Sequence, residues 1–178
     1  MHLFAVPNLP EFRPGDDIAA AIEAETDIRD DDVVCVASTI VSKVEDRRTT
    51  LETVEPSERA ESIAARLESI HGEQVDPRFT EVVLQESETV LTEAPFMLTV
   101  TPFGHVGVNA GIDRSNTGET DILLLPEDPT GSAERIRDAF EADPAVIVTD
   151  TSGRPFRTAQ RGVAIGWAGI PSTRDWRG

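Results

Sequence analysis

A chain of 178 residues is long enough to bury a substantial hydrophobic core, so one compact unit is expected. Its 33 acidic and 16 basic residues leave a formal charge of -17, and a field of that sign excludes non-specific binding to nucleic acid or to an anionic membrane surface. Lys43 is the sole lysine, and an acidic, lysine-poor composition predicts a halophilic protein, because screening in high salt weakens the self-repulsion.

In chain order, "MHLFAVPNLPEF" lacks the basic-then-apolar layout of a signal peptide, and no apolar run approaches the roughly 20 residues that span a bilayer, so a soluble, cytoplasmic protein is expected. "LFAVP" reads as a short strand closed by Pro7. Asp16 or Asp17 then caps a helix with Ile18, Ala21 and Ile22 on one face. "VVCVASTIVSK" reads as one continuous apolar strand, central and covered on both faces, in which Cys35 is a small buried hydrophobe. A single cysteine allows no disulfide within the chain.

Ser57 caps a helix that carries Ile63, Leu67 and Ile70 to Gly72, and Pro77 opens a second helix through "PRFTEVVLQESETVL" with Phe79, Val83 and Leu84 on its stripe. "FMLTVTPFGHVGVNAGID" predicts two antiparallel strands joined near "PFG". "DILLLPEDP" holds a short buried strand, "GSAERIRDAFEA" a capped helix, "AVIVTDTSGRPFR" a buried strand ending in a polar turn, and "GVAIGWAGI" a last strand. Helices and strands interleave without segregating, which predicts a mixed α/β (α+β) fold. No repeat and no low-complexity linker divides residues 1–178.

Three apolar runs end in dense polar groups: Ser38 to Lys43, Asn109 to Asn116, and Thr149 to Arg154. Strand ends in α/β sheets gather ligands because the backbone there is rigid and its terminal groups open onto a crevice. Asp113 and Asp150 are hard oxygen donors suited to magnesium or manganese, and Thr151 adds a hydroxyl. Lys43, Ser38 and Thr39 suit phosphate oxygens. Each also has a plainer role. An aspartate after a strand commonly forms a turn or caps a helix, a lysine is commonly a solvated charge, and Asn116 serves equally in a turn. His2, His71 and His105 are isolated from one another, and neither a P-loop nor a G-x-G-x-x-G fingerprint occurs. From the residues alone, metal-dependent phosphate chemistry is the expectation.

The segments "PNLPEFRPGDD", "ASTIVSK", "EPSERAESIA", "VVLQESETVL", "VNAGIDRSN", "LLLPEDPTGSAERIR", "VIVTDTSGRPFR" and "GVAIGWAGI" resemble, in order and spacing, those of the coenzyme F420-0:L-glutamate ligase family. The resemblance covers essentially the whole chain, "NAGIDRSN" and "TDTSGRPFR" being its most specific parts. It implies a GTP-dependent ligase that adds L-glutamate, and then a γ-linked glutamate, to coenzyme F420-0 through an acyl phosphate. It also implies an intertwined homodimer, magnesium or manganese at two sites, and potassium. By position, Asn8, Leu9, Pro10 and Glu11 match a guanine-nucleotide loop, Ser38, Thr39, Lys43 and Asn116 further nucleotide contacts, Asp113 and Asp150 one metal, and Thr151 a second. Lys43, Asp113 and Asp150 would carry the catalysis. From their chemistry alone, Arg114 and Arg154 are suited equally to neutralising substrate carboxylates or phosphates and to surface ion pairs. Relatives run on past the position of Gly178, so the chain is expected to lack the family's C-terminal portion. The alternatives are a metal-dependent nucleotide phosphohydrolase and a non-catalytic nucleotide-binding fragment.

Overall fold

Along Val33–Ala37 burial alternates, with Val34 and Val36 covered and Val33, Cys35 and Ala37 exposed, the pattern of a strand with one buried face. The computed structural model describes residues 2–112, 121–153, 158–175 and 177. Its regular elements in chain order are α1 (Ile18–Glu23), β1 (Val33–Ala37), α2 (Ser38–Val44), β2 (Arg48–Thr50), α3 (Glu58–His71) and α4 (Pro77–Gln85), then β3 (Thr89–Thr92), β4 (Leu98–Val100), β5 (Val106–Val108), β6 (Asp121–Leu123), α5 (Pro129–Ala139), β7 (Ala145–Ser152) and β8 (Arg161–Ala168). The mixed α/β composition agrees with the expected class.

Two compact units are present, one of Met1–Asp46, Asp128–Asp150 and Gly162–Gly178, the other of Arg47–Glu127 and Thr151–Arg161. The first is organised on a sheet of order β1-β7-β8, in which β1 and β7 run parallel with Val34 opposite Val146 and Ala37 opposite Thr149. Within this unit α1 packs on α5, and a Cβ on Gly166 of β8 would lie 2.2 Å from the carbonyl carbon of Pro129, so strand and helix start touch backbone to backbone. In the second unit β3-β4-β5 form an antiparallel sheet and β2 pairs with β6. Its core joins Ile63 and Leu67 of α3 to Phe79, Val82 and Val83 of α4, with Met97, Ala110 and Ile122 beneath. Each of these side chains larger than alanine contributes roughly 1.5–3 kcal/mol on burial.

Several boundaries differ from expectation. "LFAVP" forms no strand, and Leu3 and Phe4 are exposed. β1 stops at Ala37, is a sheet edge among the described strands and has only one covered face, so Cys35, on the other face, is exposed rather than buried. The hydroxyl-rich continuation is the helix α2, because Ser38, Val41 and Ser42 recur at helical spacing and all three are buried. The Pro77 helix ends at Gln85. Thr89 to Thr92 pair instead with β4, as their β-branched content favours. Ile70 ends its helix exposed. The caps at Asp17, Ser57 and Gly72 are where the sequence predicts them, and α5 begins earlier, on Asp128. Among the described residues no helix is long and apolar enough to cross a membrane.

Candidate functional site

The parallel register that sets Ala37 beside Thr149 carries the next pair, Ser38 and Asp150, to the same end of the sheet. Ser38 is almost fully buried at the start of α2, and its Oγ donates to Oδ1 of the half-buried Asp150 at 3.2 Å. Two predicted site residues far apart in sequence are thereby in contact. Thr149 Oγ1 donates to the Val36 carbonyl at 3.3 Å, tying the same strand ends together.

On α2, Thr39 and Lys43 stand four residues apart and share one helix face. Lys43 Nζ donates to Glu11 Oε1 at 3.1 Å, with the lysine side chain mostly covered and the glutamate exposed. The sole lysine is thus turned toward the N-terminal loop. That loop is held at its other end by Asn8, a left-handed residue (φ 54°) whose Nδ2 donates to Glu25 Oε2 at 3.1 Å. Leu9 is half-buried and Pro10 exposed between them. Asn8, Leu9, Pro10, Glu11, Ser38, Thr39, Lys43 and Asp150 therefore all belong to the first unit, and two pairs among them touch, Ser38 with Asp150 and Lys43 with Glu11.

Asp113, Asn116, Arg114 and Arg154 lie outside the described residues. The turn that delivers Asp113 is described. Asn109, Ala110 and Gly111 have φ of 51°, 54° and 70°, three left-handed residues in succession. For a residue with a side chain that region costs roughly 1–2 kcal/mol. Compensation is local: Asn109 N–H donates to the Met97 carbonyl at 2.9 Å, and Ala110 N–H to Oγ1 of the fully buried Thr99 at 3.1 Å. On Gly111 a Cβ would stand 2.5 Å from Leu125 Cδ1. Thr99 and Leu125 escape sequence reasoning because both look like ordinary apolar-strand residues, and an alanine gives no sign of a left-handed turn.

Among the described residues no three of His, Cys, Asp and Glu gather as a metal cage. A magnesium ion on a nucleotide does not require one, since one or two carboxylates suffice when water and phosphate oxygens fill the remaining positions. Asp150, a hydrogen-bonded carboxylate at a strand end, fits that donor role.

Compared with known proteins, the family described as F420-0:Gamma-glutamyl ligase matches residues 7–178. The chain is similar to the coenzyme F420:L-glutamate ligase of Haloarcula marismortui, with 60% identity over 182 residues, all of this chain and 71% of that protein. It is likewise 60% identical over 178 residues to the protein so named in Halobacterium salinarum, all of this chain and 70% of the relative. The Archaeoglobus fulgidus protein of the same name is 44% identical over 182 residues, again all of this chain and 71% of the relative.

Proposed function

The chain belongs to the F420-0:gamma-glutamyl ligase family, and from that premise we propose that it joins L-glutamate to coenzyme F420-0 with GTP as co-substrate, then adds a second glutamate through a γ-linkage. The observation that carries this reading is 60% identity, over the whole chain, to a relative named for that ligation.

A carboxylate is a poor acyl donor and must be activated. Transfer of the γ-phosphoryl group from GTP to the F420-0 carboxylate breaks the β–γ P–O bond and yields GDP and an acyl phosphate. The glutamate amine then forms the C–N bond, the C–O bond to phosphate breaks, and inorganic phosphate and a proton leave. Asn8 to Glu11, Ser38, Thr39 and Asn116 hold the guanine nucleotide. Lys43, steadied by Glu11 at 3.1 Å, has two further N–H donors for phosphate oxygens. Asp113 and Asp150 would hold one magnesium or manganese ion and Thr151 would lie on a second, and with potassium these ions would offset charge on the phosphates. The acyl phosphate must be shielded from water until the amine arrives.

A homodimer is part of the proposal. The outer face of β3-β4-β5 presents Leu91, Val106 and Val108, each about half exposed, and a second copy of the chain would cover it.

The test is mass spectrometry of F420-0 incubated with GTP, L-glutamate, Mn2+ and molar KCl. The expected product is heavier by one and then two glutamyl groups, and Lys43→Ala lowers the rate by about 100-fold or more, the scale for loss of a charge-stabilising group. Phosphate release from GTP that needs neither F420-0 nor glutamate would overturn the ligase reading in favour of a phosphohydrolase. GTP binding without glutamyl transfer would reduce the chain to a nucleotide-binding protein.

A further inference from the structure

The last paired rung between β1 and β7 sets Ala37 opposite Thr149, after which the chain enters α2 while β7 runs on through Asp150 to Ser152. At Asp150 the strand therefore has no β1 residue opposite it. Ser38 fills that place from the helix. Together with Val41 and Ser42 it forms the buried face of α2, and at 3% exposure its side chain is held in one direction by packing. Its Oγ donates to Asp150 Oδ1 at 3.2 Å. One residue earlier on β7, Thr149 Oγ1 donates to the Val36 carbonyl at 3.3 Å, so the two chain segments are tied side by side where they diverge.

A serine hydroxyl carries a single hydrogen. With that hydrogen on Asp150, Ser38 Oγ has only lone pairs to offer elsewhere, and phosphate oxygens need donors. The phosphate contact that the sequence suggests for this side chain is therefore not the contact the fold makes. The carboxylate is in a different position. It has about four lone-pair sites, so accepting a hydrogen at Oδ1 does not by itself prevent it from ligating a cation. What the hydroxyl supplies is direction: a half-buried carboxylate at the end of a paired strand has several rotamers, and a fixed partner that selects one removes part of the ordering cost of metal binding.

We infer that Ser38 is a positioning residue for the metal, its hydroxyl holding the Asp150 carboxylate in the orientation that ligates magnesium or manganese. Any contact of Ser38 with the nucleotide then runs through its main chain. The inference rests on the ligase reading for the presence of a metal at Asp150, and both of its residues belong to the first unit.

The test is Mn2+ binding to the full chain in molar KCl, read from the electron paramagnetic resonance signal of free Mn2+, for the parent, Ser38→Ala, Asp150→Asn and the double variant. GTP affinity is measured separately by calorimetry in EDTA. Ser38→Ala should weaken Mn2+ binding about 10- to 100-fold, the range for loss of a group that orients a metal ligand, with GTP affinity in EDTA unchanged. In the Asp150→Asn background the same substitution should add nothing, because the hydroxyl acts through that carboxylate. Equal Mn2+ affinity in the parent and Ser38→Ala would overturn the inference. So would a loss of GTP affinity in EDTA at unchanged Mn2+ affinity, which would give the hydroxyl to the nucleotide. Joint weakening of metal and nucleotide with a lowered urea midpoint would reduce Ser38 to a structural role and overturn it as well. If the parent transfers glutamate to F420-0 while its Mn2+ affinity is indifferent to Ser38, the inference fails and the ligase reading stands. The expected Mn2+ pattern in a chain that transfers no glutamate would support the positioning role and overturn the ligase reading.

Discussion

At the scale of single residues, the described part of the site rests on a few contacts that decide geometry rather than stability. Ser38 with Asp150 and Lys43 with Glu11 link positions that the sequence places in separate motifs. Ser38, Lys43 and Asp150 could be singled out as candidates because hydroxyls, a sole lysine and a carboxylate at strand ends have a restricted chemistry, whereas Glu11 was marked only by the resemblance. The ion pairs of Arg47 with Glu86 and Glu127 were not legible, because an arginine flanked by Asp46 and Arg48 looks like a solvated charge run, and its partners are distant in sequence. Gly111 gives the sharpest stability test. Gly111→Ala puts a side chain at φ +70° and 2.5 Å from Leu125 Cδ1, so a loss of about 1–3 kcal/mol is expected, measured as a lowered urea midpoint at unchanged slope. Glu86 gives a pH test. Burial raises its folded pKa above the unfolded value, so the folded state keeps a proton that the unfolded state releases. Its contribution to stability therefore falls as pH rises from about 4 through the raised value. Denaturation of the parent and of Glu86→Gln at a series of pH values should show the difference shifting toward the variant as pH rises over that window.

At the scale of elements, caps and periodicity were readable and transitions without punctuation were not. Ser57 and Gly72 bracket α3 because a hydroxyl and a left-handed glycine satisfy its end groups. The step from β1 to α2 carries no such mark. Ala37 is the N-cap and makes no side-chain bond, so an apolar strand passes into a helix without a turn residue. The end of α4 is similar, since Glu86 is a good helix former and the change to strand depends on pairing with β4. The Ser57 cap itself yields a prediction. Its Oγ accepts from Ala60 N–H at 3.2 Å, while its hydroxyl and backbone N–H donate to Glu81 and lower that carboxyl's pKa. Ser57→Ala should cost about 1 kcal/mol at neutral pH, measured by chemical denaturation. Because the folded Glu81 pKa is depressed, its share of stability is present above the unfolded value and lost as pH falls through the folded one. The gap between parent and variant should therefore shrink in acid.

At the scale of the whole molecule, the charge of -17 governs behaviour more than any single contact does. Repulsion spread over a surface with so few lysines is relieved by screening, and relatives from salt-loving archaea share the sequence at 60% identity. The melting temperature should rise steadily from dilute buffer to molar KCl, and a chain more stable in dilute buffer would contradict the salt adaptation. Composition alone carries this expectation. The division into two units was not legible, because no linker marks it and β7 crosses from one unit to the other. In the proposed ligation the chain activates a carboxylate with GTP and passes it to the amine of glutamate. The most direct measurement uses F420-0 labelled with oxygen-18 in that carboxylate, following the label by mass spectrometry in both products. One labelled oxygen in the released phosphate and the other in the new amide is the predicted result. Unlabelled phosphate, or labelled F420-0 recovered without glutamate, would contradict it.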